Sequence, residues 1–317
     1  MASRGRVALV ALGVGAAVLV LFVVTIWLLI AVTDDGLPGG AKVAVVEVEG
    51  IIGTEVQRGQ DTESLVRTLG EYRDDPTVRA VVLRINSPGG VVAPTQEIAT
   101  AVRRLREAKK PVVASLGAVA ASGGYYVAVA ADRIYASPGT LTGSIGVVMQ
   151  MANLEGLLKK VGVEYVVVKA GAYKDVGNMA RAMTPEERRI LQALLDDVYD
   201  QFIGAVAEGR GLDPQAVRAF AEGRIYSGRQ AQGLKMVDDL GGLEDAIEAA
   251  AKMAGLPAKP KVVYPRRRFS LRGLLSNELG LGPVSRVLPS LETLHTPLYR
   301  CPDRGRGGGC LLTTQTA

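Results

Sequence analysis

Histidine and cysteine are almost missing from this chain. Its 317 residues contain one histidine, His295, and two cysteines, Cys301 and Cys310, all near the C-terminal end. A zinc site built from imidazole and thiolate ligands therefore has no ligand set. A Ser-His-Asp or Cys-His mechanism would have to recruit His295, which lies in an irregular Pro-rich stretch beside Thr296 and Pro297. That is poor footing for a positioned base. Any nucleophilic serine must find a different one. The two cysteines are compatible with a disulfide or with two free thiols. Aromatics make up only 5% of the residues, with a single tryptophan, so the core must be aliphatic and rich in Ala and Gly. The net charge is only +5, and from Lys259 onward ten Lys/Arg stand against three acids. The basicity belongs to the tail, so the body carries no nucleic-acid footprint.

Charge is also missing from the start of the chain. Between Val7 and Val32 there is no ionisable side chain, a run longer than the roughly 20 residues needed to cross a bilayer. Its length exceeds the apolar core of a removable signal peptide, so the expectation is a transmembrane helix, with cleavage the weaker reading. Arg4 and Arg6 precede the run, and Asp34 and Asp35 follow it. The positive-inside rule then puts residues 1–6 in the cytoplasm, residues 7–32 in the membrane, and the body on the far side of a 33–41 linker.

Beyond the linker, strand and helix patterns alternate. Lys42–Gly50 and Val78–Ile85 read as buried strands, Thr62–Arg73 and Ala93–Lys110 as helices, and Val112–Leu116 as a third strand. Asn86-Ser87-Pro88-Gly89-Gly90 reads as a turn that bares backbone N–H groups. This rhythm predicts right-handed crossovers and a layered α/β fold. Further on, Leu154–Val161 reads as a short helix and the β-branched run Glu164–Lys169 as a strand. Thr184-Pro185-Glu186-Glu187 is a helix start, with Thr184 as N-cap and Glu187 as its capping-box partner. The helix so opened extends to about Gly209, with Ile190, Leu194, Val198, Phe202 and Val206 on its inner face. Leu243–Ala254 reads as another helix, and little packed structure is expected beyond Pro257. The chain contains no internal repeat.

The chemistry is expected at Ala118-Val119-Ala120-Ala121-Ser122-Gly123-Gly124-Tyr125-Tyr126. Ser122 sits where a buried strand hands over to a helix, and unpaired amides and the helix dipole there favour negative charge beside its Oγ. Small neighbours admit a substrate backbone. The same residues also fit a tight turn with a capping serine. A lysine can act as base if burial keeps its amine neutral. Lys169, ending a strand, and Lys174, in a loop, are the candidates.

Five ordered motifs, N-S-P-G-G, A-A-S-G-G-Y-Y, T-L-T-G-S-I-G, Y-K-D and T-P-E-E, together resemble the signal peptide peptidase A family over about Val43–Gly255. The resemblance implies a crotonase-like layered α/β domain, shared with the proteolytic subunit of Clp protease, over residues 42–256. It leaves 257–317 as a basic Gly/Pro-rich tail matching no motif. It implies Ser122 as nucleophile, Lys174 as general base, Ser144 as a hydrogen-bonding support for that lysine, and the Gly89 and Gly123 amides as the oxyanion hole. Asp175 should then point away from Lys174, since pairing would favour the ammonium. No cofactor and no metal are implied. The substrates would be apolar peptides such as leftover signal peptides. The single-copy form implies a homo-oligomeric ring in which Ser122 and Lys174 of one site come from neighbouring subunits. Two rivals share these residues: an acyl-CoA enzyme of the same fold, and a membrane-tethered scaffold without catalysis.

Overall fold

A computed structural model describes residues 13–28, 40–54 and 61–265. Residues 13–28 form helix α1, and its apolar side chains are exposed, Leu21 at 69% and Trp27 at 67% among them. No helix among the described residues is long and apolar enough to cross a membrane. Both ends of the uncharged run, most of the 33–41 linker, and the tail from residue 266, with His295, Cys301 and Cys310, lie outside the described residues.

An eight-stranded sheet organises the rest. Its strands are β1 (Lys42–Ile52), β2 (Val78–Gly90), β3 (Val112–Ala121), β4 (Arg133–Ala136), β5 (Leu141–Gly143), β6 (Ile225–Ser227), β7 (Asp239–Leu240) and β8 (Lys261–Val263). The main path runs β6-β5-β3-β2-β1-β8, with β4 paired to β3 and β7 to β4, and only β5–β6 is antiparallel. The central strands are aliphatic at nearly every position because both faces are covered. Val43, Ala44, Val45 and Val46 are all fully buried.

On one face Ala44, Val46, Val81, Leu83, Ala114 and Leu116 meet helices α2 (Thr62–Asp74), α3 (Val92–Glu107), α4 (Gly123–Ala128) and the second half of α6 (Pro185–Arg210). Short helices α5 (Glu155–Lys160), α7 (Pro214–Arg218) and α8 (Gly228–Gly233) punctuate the connections. On the other face Val43, Val45, Ala80, Val82 and Val113 meet Ala246, Ala250 and Ala251 of α9 (Leu243–Met253). The alanine stripe lets that helix lie close to the strands.

The layered α/β class expected from the strand and helix rhythm is the one adopted. Four local readings need correction. Asn86–Gly90 is the end of β2 rather than a turn, still paired to β1 (Ile51 with Gly89, Ile52 with Gly90) after a register shift. Glu164–Lys169 forms no strand, because no segment among the described residues pairs with it, and Val166 and Val168 are 74% and 95% exposed. The first turns of α6 do not pack inward, for Ile190 and Leu194 are exposed while Phe202 and Val206 are buried. Past Pro257 the chain still contributes β8, which pairs with the start of β1.

Strand β3 positions the site because it changes partners along its length. Val113–Leu116 pair with β4, and Val119–Ala121 pair with β5. Two buried hydroxyls sew this split together, Thr140 donating to Gly117 O at 2.8 Å and Thr142 to Ala120 O at 2.7 Å. The hydroxyl-dense loop thus fixes the end of β3, where Ser122 begins.

Candidate active site

Ser122 separates β3 from α4 and has φ 51°, ψ −120°. A non-glycine residue in this region costs on the order of 1–3 kcal/mol and persists only where its surroundings over-determine it. Here they do. Ser122 N–H donates to Gly143 O at 2.8 Å, tying it to β5, and Ser122 O accepts from Tyr126 N–H at 2.9 Å, opening the helix. Its side chain does not cap that helix, so the capping-serine reading is set aside, and among the described residues its hydroxyl makes no hydrogen bond. The hydroxyl is presented rather than consumed.

Backbone crowds in around it. Gly89 has φ +104°, and a Cβ there would lie 2.7 Å from Gly123 N and 2.8 Å from Ser122 Cβ. A Cβ on Gly123 would lie 2.8 Å from Thr95 Oγ1, and one on Gly124 would lie 2.7 Å from Ser87 O. The end of β2 is thus pressed against the first turn of α4, bringing Gly89, Ser122 and the Gly123 amide together. Gly123 N–H belongs to that first turn, where amides have no intrahelical acceptor. Gly89 N–H is shared, because it donates to the buried Ser87 Oγ at 3.1 Å.

An open cleft lies over Ser122 and Gly123, lined also by Val92, Val147, Val148, Val198, Phe202 and Tyr126. Tyr126 and Phe202 pack ring to ring, 5.1 Å between centroids. Thr95 and Gln96 add polar groups to the lining, Thr95 donating to Val91 O at 2.8 Å. The cleft suits an apolar side chain held beside a polar backbone.

Lys174 is exposed and is not among the cleft's lining residues. No hydrogen bond joins it to Ser122 or to Ser144 among the described residues. Ser144 is half-buried with φ 52°, held by its N–H to Arg224 O at 2.7 Å. One chain therefore brings Ser122, Gly123 and Gly89 together and leaves Lys174 on its surface. Asp175 is engaged away from Lys174, by Lys169 and by Arg181. The Arg181 and Lys169 hydrogen bonds hold its carboxyl far below the usual carboxylate range. Glu187, in the first turn of α6, is bonded by Arg181 and by the Thr184 N–H, which lowers its carboxyl to about 2. Sequence reasoning missed Arg181, whose only signal was a spacing of six residues from each acid. It missed Thr95 too, a polar residue buried inside an ordinary helix pattern.

With this geometry in place, comparison with known proteins is decisive. The model of Peptidase family S49 matches residues 104–257. A Synechocystis protein bearing the name of a protease is 46% identical over 68% of this chain and 75% of its own length. The chain belongs to peptidase family S49. An Enterococcus faecium relative named for signal peptide peptidase SppA is 34% identical over 78% of this chain and 74% of its own length. The Arabidopsis thaliana chloroplastic serine protease SPPA is 34% identical over 81% of this chain and 39% of its own length. Among solved structures, a membrane-bound stomatin-specific protease superposes with a TM-score of 0.47 at 16% identity, over 72% of this chain and 99% of that one. The S49 chain is accordingly a protease.

Proposed function

We propose that this S49 protease is a membrane-anchored serine endopeptidase in which Ser122 attacks the peptide carbonyl and Lys174 of a neighbouring subunit takes its proton. The observation that carries the reading is Ser122 itself, held at positive φ with an unshared hydroxyl, beside the Gly123 amide and at the floor of an apolar cleft. Attack forms the Oγ–C bond and moves the Oγ proton to Lys174 Nζ. The carbonyl electrons settle on oxygen, which the Gly123 N–H receives, with Gly89 N–H turning from Ser87 Oγ to assist. Removal of one such donor typically costs about 10² to 10³ in rate. Lys174 then hands the proton to the leaving amine as the C–N bond breaks. Water, deprotonated by the same amine, cleaves the acyl-enzyme and frees Ser122.

Three features support a base from a second copy of the chain. Lys174 is exposed, the β-branched run Glu164–Lys169 has no strand partner among the described residues, and Ile190 and Leu194 break the apolar stripe of α6 at the surface. Together they form the kind of unsatisfied surface that a ring of identical subunits covers. In that ring Ser144 of the serine-bearing subunit would accept a hydrogen bond from the incoming Lys174. The uncharged run at residues 7–32, with exposed apolar side chains along α1, supports a bilayer anchor with residues 1–6 in the cytoplasm and the peptidase domain outside it. Apolar peptides left near the membrane, signal peptide remnants among them, fit the Val- and Phe-lined cleft.

A fluorophosphonate probe followed by peptide mapping tests the assignment. The expected product is a single adduct on Ser122, with loss of apolar-peptide hydrolysis in step with labelling. An adduct on another serine, or full hydrolysis by Ser122→Ala, would overturn it.

A further inference from the structure

The segment carrying Lys174 is held by three carboxylates, Asp175, Glu187 and Glu155, each of them paired with a cation. Asp175, the next residue, accepts from Lys169 Nζ on Oδ1 and from Arg181 Nε on Oδ2 at 3.0 Å, while its backbone oxygen accepts from Arg181 Nη2 at 3.2 Å. Arg181 turns its remaining donors on Glu187 of α6, at 2.5 and 2.8 Å, and on Ala182 O at 3.1 Å. Lys169 also donates to Ala172 O at 2.8 Å. From α5, Glu155 accepts from Ala182 N–H at 3.0 Å and is paired with Lys159 at 2.7 Å. The side chains of Asp175 and Glu187 are only 12% and 4% exposed. Lys174 sits beside this balanced cluster. Its backbone N–H donates to Gly171 O at 3.3 Å, but its side chain makes no ion pair or hydrogen bond among the described residues.

Resting on the Ser122–Lys174 reading, we propose that Lys169 and Arg181 are positioning residues whose function is to withhold Asp175 from Lys174. A free carboxylate within about 4–6 Å of an ammonium favours the charged form by roughly 1–3 pH units. An amine that holds its proton at working pH cannot accept one from Ser122. The cluster thus holds Asp175 with a second lysine and with an arginine that it shares with Glu187, so that the base enters the neighbouring site without a counter-ion. Simple anchoring of the loop would need the same contacts but would leave the pH dependence of the reaction unmoved.

The test uses the full chain and an apolar peptide substrate, with kcat/KM followed from about pH 6 to about pH 10. Lys169→Gln frees one Asp175 oxygen, so the acidic limb should move up by about one pH unit, with about a tenfold loss near neutrality. Lys169→Arg should keep the wild-type profile. Lys169→Gln/Asp175→Asn, with no carboxylate left to capture the base, should return the limb to its wild-type position. That double variant stays informative even where the single one fails to fold, since a limb still displaced in it overturns the proposal. A uniform loss at every pH in Lys169→Gln, with the limb in place, overturns it as well. Lys174→Ala runs alongside. If that protein is inert while the Lys169→Gln limb stays put, this inference alone fails, whereas wild-type activity in Lys174→Ala sinks the dyad reading and this inference with it.

Discussion

Gly89→Ala is the substitution whose outcome the site geometry determines most fully. The new methyl would stand 2.7 Å from Gly123 N and 2.8 Å from Ser122 Cβ, well inside ordinary van der Waals contact, and Ala121 O is 3.1 Å away. None of these neighbours is the end of a flexible side chain. Either β2 retreats from α4 or the Ser122–Gly123 turn moves, and both displace an oxyanion donor relative to the nucleophile. Loss of one donor is worth about 10² to 10³ in rate, so kcat/KM for an apolar peptide should fall at least a hundredfold. The positive φ, +104° at Gly89, adds a stability cost on the order of 1–3 kcal/mol. Gly50→Ala is the matched control. It also has positive φ, +72°, but a Cβ there meets nothing within 4 Å. It should lose comparable stability and retain activity within a few-fold. Initial rates of peptide hydrolysis, paired with thermal melts of both variants, check the difference. Near-wild-type turnover in a folded Gly89→Ala protein would refute the placement of the oxyanion site.

Two further predictions come from groups that the site leans on. Glu187 has its carboxyl lowered from 4.5 to about 2, chiefly by the Arg181 hydrogen bond; its contribution to stability is therefore full above about pH 4.5 and is lost as pH falls toward about 2. Hydrogen-exchange protection of residues 170–183, taken relative to the intrinsic rate at each pH, should fall over that window in the wild type, and Glu187→Gln should show the lower protection already at neutral pH. Tyr125 is fully buried directly behind the nucleophile and donates to Met236 O at 2.8 Å. Tyr125→Phe leaves that carbonyl unpaired at a cost of about 1–3 kcal/mol in denaturant unfolding, with the fluorophosphonate adduct still on Ser122.

Local signals in the sequence carried a good part of this. Thr184, Pro185 and Glu187 announced the start of α6 because a capping box is satisfied within four residues, and the Thr184 and Glu187 bonds are both present. The Ser122 junction was legible for a similar reason, since an aliphatic strand running into Ser-Gly-Gly leaves few other geometries. What failed depended on partners distant in the chain or outside it. The run Glu164–Lys169 has the composition of a strand, but pairing needs a second edge. The spacing of Ile190 and Leu194 matched the buried stripe of α6, yet only the part from Phe202 onward reaches the core. Asn86–Gly90 looked like a turn because Pro and Gly usually interrupt strands, whereas pairing with β1 and close packing against Gly123 and Gly124 keep those residues in the sheet. Arg181 left no mark beyond its six-residue spacing from each acid, because its two carboxylates become neighbours only after the loop closes on α6.

Subunit complementation tests the central claim most directly. Ser122→Ala and Lys174→Ala proteins, each inert alone, are mixed under conditions where subunit exchange is independently demonstrated. If each site joins the serine of one subunit to the lysine of the next, random assortment rebuilds about a quarter of the sites, and peptide hydrolysis returns to about that fraction of the wild-type rate. A mixture that exchanges fully and remains inert would contradict a site shared across the interface.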